Sequence, residues 1–140
     1  MLNRKIQPTI TDAVSFDLKL RTCEQYQLDN TIPVYSMNAG TQEVLMIEWV
    51  FKAGNWFEQK NIVAGTTNFL LKNGTSTKTA YQINDHFEFY GAYLNRTCYN
   101  ETASITLHCL SKHIDELLPV VAELITDSIF PEEELTKKKK

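Results

Sequence analysis

No apolar run in this 140-residue sequence approaches the roughly 18–20 residues needed to cross a bilayer, which excludes a helical span within it. The opening MLNRKIQPTITDAV carries positive charge with no apolar stretch behind it, so no secretory signal is read there. A surplus of positive charge is missing as well. Fourteen Lys and Arg against 17 Asp and Glu leave a formal charge of −3, which provides no general attraction for nucleic acid or an anionic membrane. The one basic cluster, Lys137–Lys140, reads as a solvated tail.

Cysteine is scarce. Cys23, Cys98 and Cys109 form an odd set without a C-x-x-C pair, which suits free thiols in a reducing compartment better than a disulfide framework. The cytoplasm is therefore the expected location. Three N-x-T sequons, at Asn73, Asn95 and Asn100, read as chance occurrences in the absence of a signal peptide. There is no glycine-rich phosphate loop, internal repeat or low-complexity block. What remains is 43% apolar and 22% charged, ordinary for a folded chain. A chain this long buries roughly 68–70% of its unfolded surface in one domain.

Hydrophobic periodicity lays out the elements. Phe16–Leu20 alternates as a short strand, Cys23–Asn30 is polar with a turn at Asp29-Asn30, and Thr31–Met37 is extended again. Glu43–Phe51 is the strongest strand, apolar on both faces, and predicts an interior strand with Trp49 and Phe51 buried. Asn61 is a candidate cap for a helix from Ile62 to Leu71, stopped by Asn73-Gly74. A second helix is expected from about Thr75 to Tyr90, ended by Gly91. Tyr93–Tyr99 and Ala103–Leu110 alternate as a hairpin around Asn100-Glu101. Ile114, Leu117, Leu118, Val121, Leu124 and Ile125 mark an amphipathic helix, with Pro119 predicting a kink or late start. Pro131 followed by three glutamates is a well-formed helix start, which predicts more domain than these residues supply. The order implies an α+β fold, helices over an antiparallel-rich sheet.

In that order the sequence resembles the pitrilysin/insulinase family of zinc metallopeptidases, the inverzincins. The strand ending EWVFKAGNWFE is similar to the family's apolar strand and the glutamate-bearing turn after it. AGTTNFLLKNGT resembles the family helix that ends in Gly-Thr. TKTAYQINDHFEFYGAYLN resembles the next helix and its Leu-Asn strand, and residues 103–135 resemble the return strand and two helices. The likeness covers about Thr31–Leu135. It implies a metallopeptidase-type α/β roll, with 1–30 as an arm and first short strand and 31–140 as a domain incomplete at its C-terminal end.

The family carries H-x-x-E-H on the AGTTNFLLKNGT helix, two zinc-binding histidines and a catalytic glutamate. Counted back from Gly74-Thr75, the histidine positions are Gly65 and Phe69, and the glutamate position is Asn68. None can replace its counterpart: glycine has no side chain, phenylalanine no donor atom, and a neutral amide is a poor proton acceptor. The resemblance places the third ligand beyond Lys140. No catalytic residue and no zinc are expected in this chain. His113-Ile114-Asp115-Glu116-Leu117 mimics the motif without its last histidine, but on the wrong helix, and His113 and Glu116 are expected on a solvated face. His86 reads as a surface residue, and Trp49, Phe51, Phe69 and Phe87 as core. In the family, the Leu-Asn strand is a sheet edge to which substrate peptide adds. Ala92, Tyr93, Leu94 and Asn95 match that strand, although Arg96 stands where the family has a small alanine.

Three functions follow from the resemblance. The first is a non-catalytic domain pairing with an active insulinase-like subunit or with itself. The second is a peptide-binding module using the sheet edge, and the third a metallopeptidase piece whose active residues lie outside this chain. A cut at the start of the last helix also predicts that Leu117, Leu118, Val121 and Leu124 lack part of their cover and mark a contact surface.

Overall fold

The computed structural model describes residues 19–138. Two compact units divide the chain after Ala39. The first contains an antiparallel hairpin, β1 (Glu24–Gln27) and β2 (Pro33–Ser36), with Gln25 opposite Tyr35 and Tyr26 opposite Val34. Asp29-Asn30 forms the turn, and the Asn30 side chain accepts from the Ile32 N–H at 3.2 Å. Cys23–Asn30 thus supplies a strand that its polarity concealed. Backbone pairing makes a strand here, and no apolar face advertises it. A boundary at 30/31 would cut this hairpin. The Phe16–Leu20 strand lies outside the described residues except for Lys19 and Leu20, which have no regular structure.

The second unit is built on a three-stranded antiparallel sheet of β3 (Val44–Phe51), β4 (Tyr93–Cys98) and β5 (Ala103–Leu110), in the order β3-β5-β4. The hairpin strand β5 is therefore central. Among the described residues the long apolar β3 is an edge strand, which corrects the interior assignment. Its alternation is as read, with Leu45, Ile47 and Trp49 half-buried on one face, but Val44, Met46 and Val50 on the other are exposed. Phe51 is 37% exposed, so neither it nor Trp49 is fully buried. The apolar count of a strand reports how much surface it offers. It does not report which neighbours cover that surface.

Among the described residues four α-helices accompany this sheet: α1 (Val63–Leu70), α2 (Ala80–Phe89), α3 (Ile114–Thr126) and α4 (Glu132–Lys138). The core gathers Ile83 and Phe87 of α2, Leu94 of β4, Ile105, Leu107 and Cys109 of β5, and Leu117, Val120, Val121 and Leu124 of α3. Three of the four residues expected to lack cover, Leu117, Val121 and Leu124, are almost fully buried, and only Leu118 is exposed. The contact surface inferred from them is withdrawn: α2 and the sheet already take up that stripe. Phe69 is 49% exposed and leaves the expected core, whereas Phe87 occupies its centre.

The α2 helix starts later than read. Thr79 caps it, accepting from the Gln82 N–H while Gln82 reaches back to the Thr79 N–H, a reciprocal capping box. The preceding Thr75–Lys78 is a turn docked on α3. Thr75, Thr77 and Lys78 all hydrogen-bond to the Glu123 carboxylate, and Thr75 is buried. Ser128 Oγ donates to the carbonyls of Leu71 and Leu124, tying the end of α1 to the end of α3. Helix α3 runs from Ile114 to Thr126 with Pro119 inside it, so the proline does not delay its start.

Candidate functional site

The helix bearing Gly65, Asn68 and Phe69, α1, is anchored by a residue five positions before its first. Asn61 does not cap it. Instead Glu58 accepts from the backbone N–H groups of Ile62 at 2.9 Å and Ala64 at 3.0 Å, one with each carboxylate oxygen. These are among the N–H groups that a helix start leaves unpaired, and a carboxylate there also meets the positive end of the helix dipole. Ile62 holds a left-handed conformation with φ of 75°, unusual for a β-branched residue, and this brings its N–H to Glu58.

Glu58 is itself positioned by the turn after β3. The N–H groups of Gly54, Asn55 and Trp56 donate to the carbonyls of Glu101, Tyr99 and Asn100, so the turn lies against the tip of the β4–β5 hairpin. A Cβ at Gly54 would overlap the carbonyl oxygens of Tyr99 and Asn100. The strand, its glutamate-bearing turn and α1 are thus one connected piece.

On α1, Gly65 is half-buried, and a Cβ built there would meet no atom within 4 Å. Asn68 Nδ2 donates to the Thr97 carbonyl at 2.9 Å. The Phe69 ring lies under the Arg96 guanidinium, 5.9 Å from its centroid, and Arg96 Nη1 donates to the Phe69 carbonyl at 2.5 Å. Burial pushes Arg96 below its ordinary range, partly opposed by Tyr93, and its Nε is buried without a hydrogen-bond partner. Lys72, one turn on, is also lowered, first by burial and then by Arg96, with Glu88 acting in the other direction. Its ammonium lies over the Phe87 ring.

These positions do not fit zinc. Gly65 and Phe69 supply no donor, the Asn68 amide is committed to Thr97, and no group of three His, Cys, Asp or Glu among the described residues could hold a metal ion. The three histidines lie elsewhere. His86 Nε2 is 3.0 Å from the Glu116 carbonyl, and both His86 and His113 pack on the Tyr90 ring. His113 is therefore half-buried against an aromatic ring, not on a solvated face. His108 packs beside Tyr93 on the sheet face away from the core.

The residues expected to form a peptide edge lie on or beside β4. β4 is an edge strand, and Tyr93 is 64% exposed. Asn95 is half-buried opposite Thr106, on the same face as Tyr93 and Glu48. Ala92 precedes the strand and is half-buried, and Leu94 is only 5% exposed because its side chain enters the core. Sequence reasoning noted the turn that carries Glu58 but missed its role as the anchor of α1, and it missed the pairing of Arg96 with Phe69. The first was signalled by a carboxylate shortly before a helix. The second had no local signal, being a contact across 27 residues.

Between α1 and the sheet is an open apolar groove of about 430 Å³, bordered by Phe51, Phe57, Val63, Leu71, Ile105 and Ile125. No helix among the described residues is long and apolar enough to cross a membrane.

Comparison with known proteins fits this geometry. The profile of the insulinase family, peptidase family M16, matches residues 34–140. An uncharacterized zinc protease of Rickettsia felis is 31% identical over 114 residues, covering 79% of this chain and 27% of that protein. An uncharacterized zinc protease of Rickettsia bellii is 26% identical over 113 residues, with the same coverage. Among solved structures, the peptidase M16 inactive domain from Pseudomonas fluorescens superimposes with a TM-score of 0.78 at 24% identity, covering 84% of this chain and 29% of that one. A protease from Helicobacter pylori gives 0.74 at 19% identity, with 85% and 29% covered. The chain thus spans a little over a quarter of the length of these relatives. With three quarters of its residues inside the family profile, and with the same α+β architecture, the chain belongs to the insulinase family, peptidase family M16.

Proposed function

We propose that this chain is a non-catalytic insulinase-like domain that supports an active zinc peptidase subunit. One observation carries the reading. The helix corresponding to the family's catalytic helix is intact and anchored by Glu58, but its three motif positions are Gly65, Asn68 and Phe69. A domain that kept the scaffold while losing the donors retains what a partner needs for packing and nothing that activates water. Likeness to a structure described as an inactive M16 domain supports the reading through the fold. The partner is a protein with intact H-x-x-E-H, either another chain or another domain of the same protein. No zinc is required by this chain.

The test is coexpression with such a subunit, followed by size-exclusion chromatography, elemental analysis and a peptidase assay of the complex and of each part. A defined complex is expected, with zinc only on the partner and activity that rises on association. Stoichiometric zinc on the isolated chain would overturn the reading, as would the absence of any complex with every intact family member encoded beside it.

A second reading, peptide capture without hydrolysis, is favoured by β4 being a sheet edge with Tyr93 exposed. Ala92, Tyr93, Leu94 and Asn95 would supply that edge, Leu94 through its backbone alone. Because the chain spans only part of its relatives, a third reading places the active residues of a whole metallopeptidase outside it.

A further inference from the structure

We propose that Asn73-Gly74 is a modification site, at which Asn73 deamidates when α4 lifts and the product then keeps α4 from returning. It is the single Asn-Gly pair in the sequence. Gly74 holds φ of 143°, a conformation that L side chains rarely adopt, so glycine is fixed here and no side chain obstructs its nitrogen. Among the described residues no acceptor takes the Gly74 N–H, although its carbonyl accepts from Ile129 at 3.1 Å and the next N–H, of Thr75, donates to the Lys78 carbonyl at 2.9 Å. The chemical step needs only water. The Gly74 nitrogen, losing its proton to solvent, attacks Asn73 Cγ. The bond from Cγ to Nδ2 breaks, and the amide nitrogen leaves as ammonia with a proton returned from solvent. Water then opens the cyclic imide at either carbonyl, giving aspartate or isoaspartate with no change in oxidation state.

The position of α4 controls this step. Asn73 Nδ2, the leaving group, donates to Glu134 Oε2 at 3.2 Å, which fixes the side-chain amide. Gly74 is buried, and Ile129, in the segment leading into α4, lies over it: a Cβ at Gly74 would stand 3.4 Å from Ile129 Cδ1. Docked, α4 and its lead-in therefore withhold both the rotation of the amide and the water that must take the proton. The same element is suited to lift. It has seven residues, too few to hold as a helix alone, and Phe130 before it sits at φ of 46°, a strain that lifting relieves. Phe130 and Leu135 form one side of an open groove of about 680 Å³, against Ile62, Val63, Thr66 and Leu70. After deamidation a carboxylate at position 73 faces the Glu134 carboxylate, so repulsion of like charges replaces the hydrogen bond. With α4 held off, the apolar side of α1 in that groove is uncovered. This goes beyond the non-catalytic reading and depends on neither a partner nor a metal.

The experiment incubates the full chain and its Glu134→Ala variant at mildly alkaline pH, folded and in urea, and then digests them with trypsin. Mass spectrometry follows the Asn73–Lys78 peptide for conversion of amide to acid, and an isoaspartyl methyltransferase with labelled S-adenosylmethionine counts isoaspartate. In urea the two proteins should convert at the same rate. Folded, Glu134→Ala should convert about three- to tenfold faster than the unaltered chain, the factor for one lost hydrogen bond. In Asn73→Asp, which carries the charge of the product, the α4 amides should exchange faster while the α3 amides do not. Equal rates in the two folded proteins would overturn the proposal. So would absence of conversion in both, or unchanged α4 exchange in Asn73→Asp. Should Glu134→Ala fail to fold, Leu135→Ala, which loosens α4 and keeps the Glu134 carboxylate, is judged by the same outcomes.

Discussion

Glu58 Oε2 accepts the backbone N–H of Ala64 at 3.0 Å, and through this contact the turn after β3 determines where α1 begins. The other oxygen takes the Ile62 N–H, so a single carboxylate serves two otherwise unpaired donors. Replacing Glu58 with Ala should cost about 0.5–2 kcal/mol, the range for loss of a helix N-cap. Hydrogen exchange at Val63–Thr67 should accelerate. An unchanged exchange profile in Glu58→Ala would show that the helix start is held by something else.

Gly54 permits the approach of the turn to the hairpin tip. Gly54→Ala places a methyl group on the carbonyl oxygens of Tyr99 and Asn100, which are backbone atoms that cannot rotate aside. The three hydrogen bonds from Gly54, Asn55 and Trp56 would have to lengthen together. Denaturant unfolding should show a loss of about 1–3 kcal/mol, typical of overpacking. Gly65→Ala, where a Cβ meets open space, should be neutral or mildly stabilising in the same measurement, since alanine is favoured in a helix.

Glu123 gives the second unit a dependence on acid. Hydrogen bonds from Lys78, Thr75 and Thr77 hold its carboxyl down at about 2. A folded pKa below the unfolded one adds stability that is fully present above the unfolded value and is lost as pH falls toward the folded one. Stability should therefore decline between about pH 4.5 and 2. Glu123→Gln should flatten that part of the profile and lower stability at neutral pH. A Glu123→Gln curve parallel to that of the unaltered chain across the window would show that the acid dependence arises elsewhere.

The sheet order makes a paired prediction about β5 and β3. Leu107 is fully buried in the central strand, and Leu107→Ala should cost about 2–5 kcal/mol. Met46 is 60% exposed on the edge strand, and Met46→Ala should stay within about 0.5 kcal/mol. Comparable losses at the two sites would place β3 in the interior after all.

Where the sequence was legible, local physics was sufficient. The hairpin of β4 and β5 was visible from strict alternation, and α3 from its apolar repeat, because periodicity is imposed by the backbone itself. The Thr79–Gln82 capping box was also readable, and overlooking it placed the α2 start four or five residues early. Phe51 and Phe69 were misjudged as core for a different reason, whereas Trp49 does pack against it. Their side chains are apolar, but exposure depends on neighbours supplied by distant parts of the chain.

The sequence by itself determined the α+β class and the family, since these follow from residue identity and order. Only the tertiary structure decided that β5 is central, that Leu117 and Leu124 are covered, and that Asn68 and Phe69 meet Thr97 and Arg96 across the gap between α1 and β4. Those contacts join residues 27 and 29 positions apart. No local propensity encodes them, because they form only when the packing of helix on strand brings the two segments together.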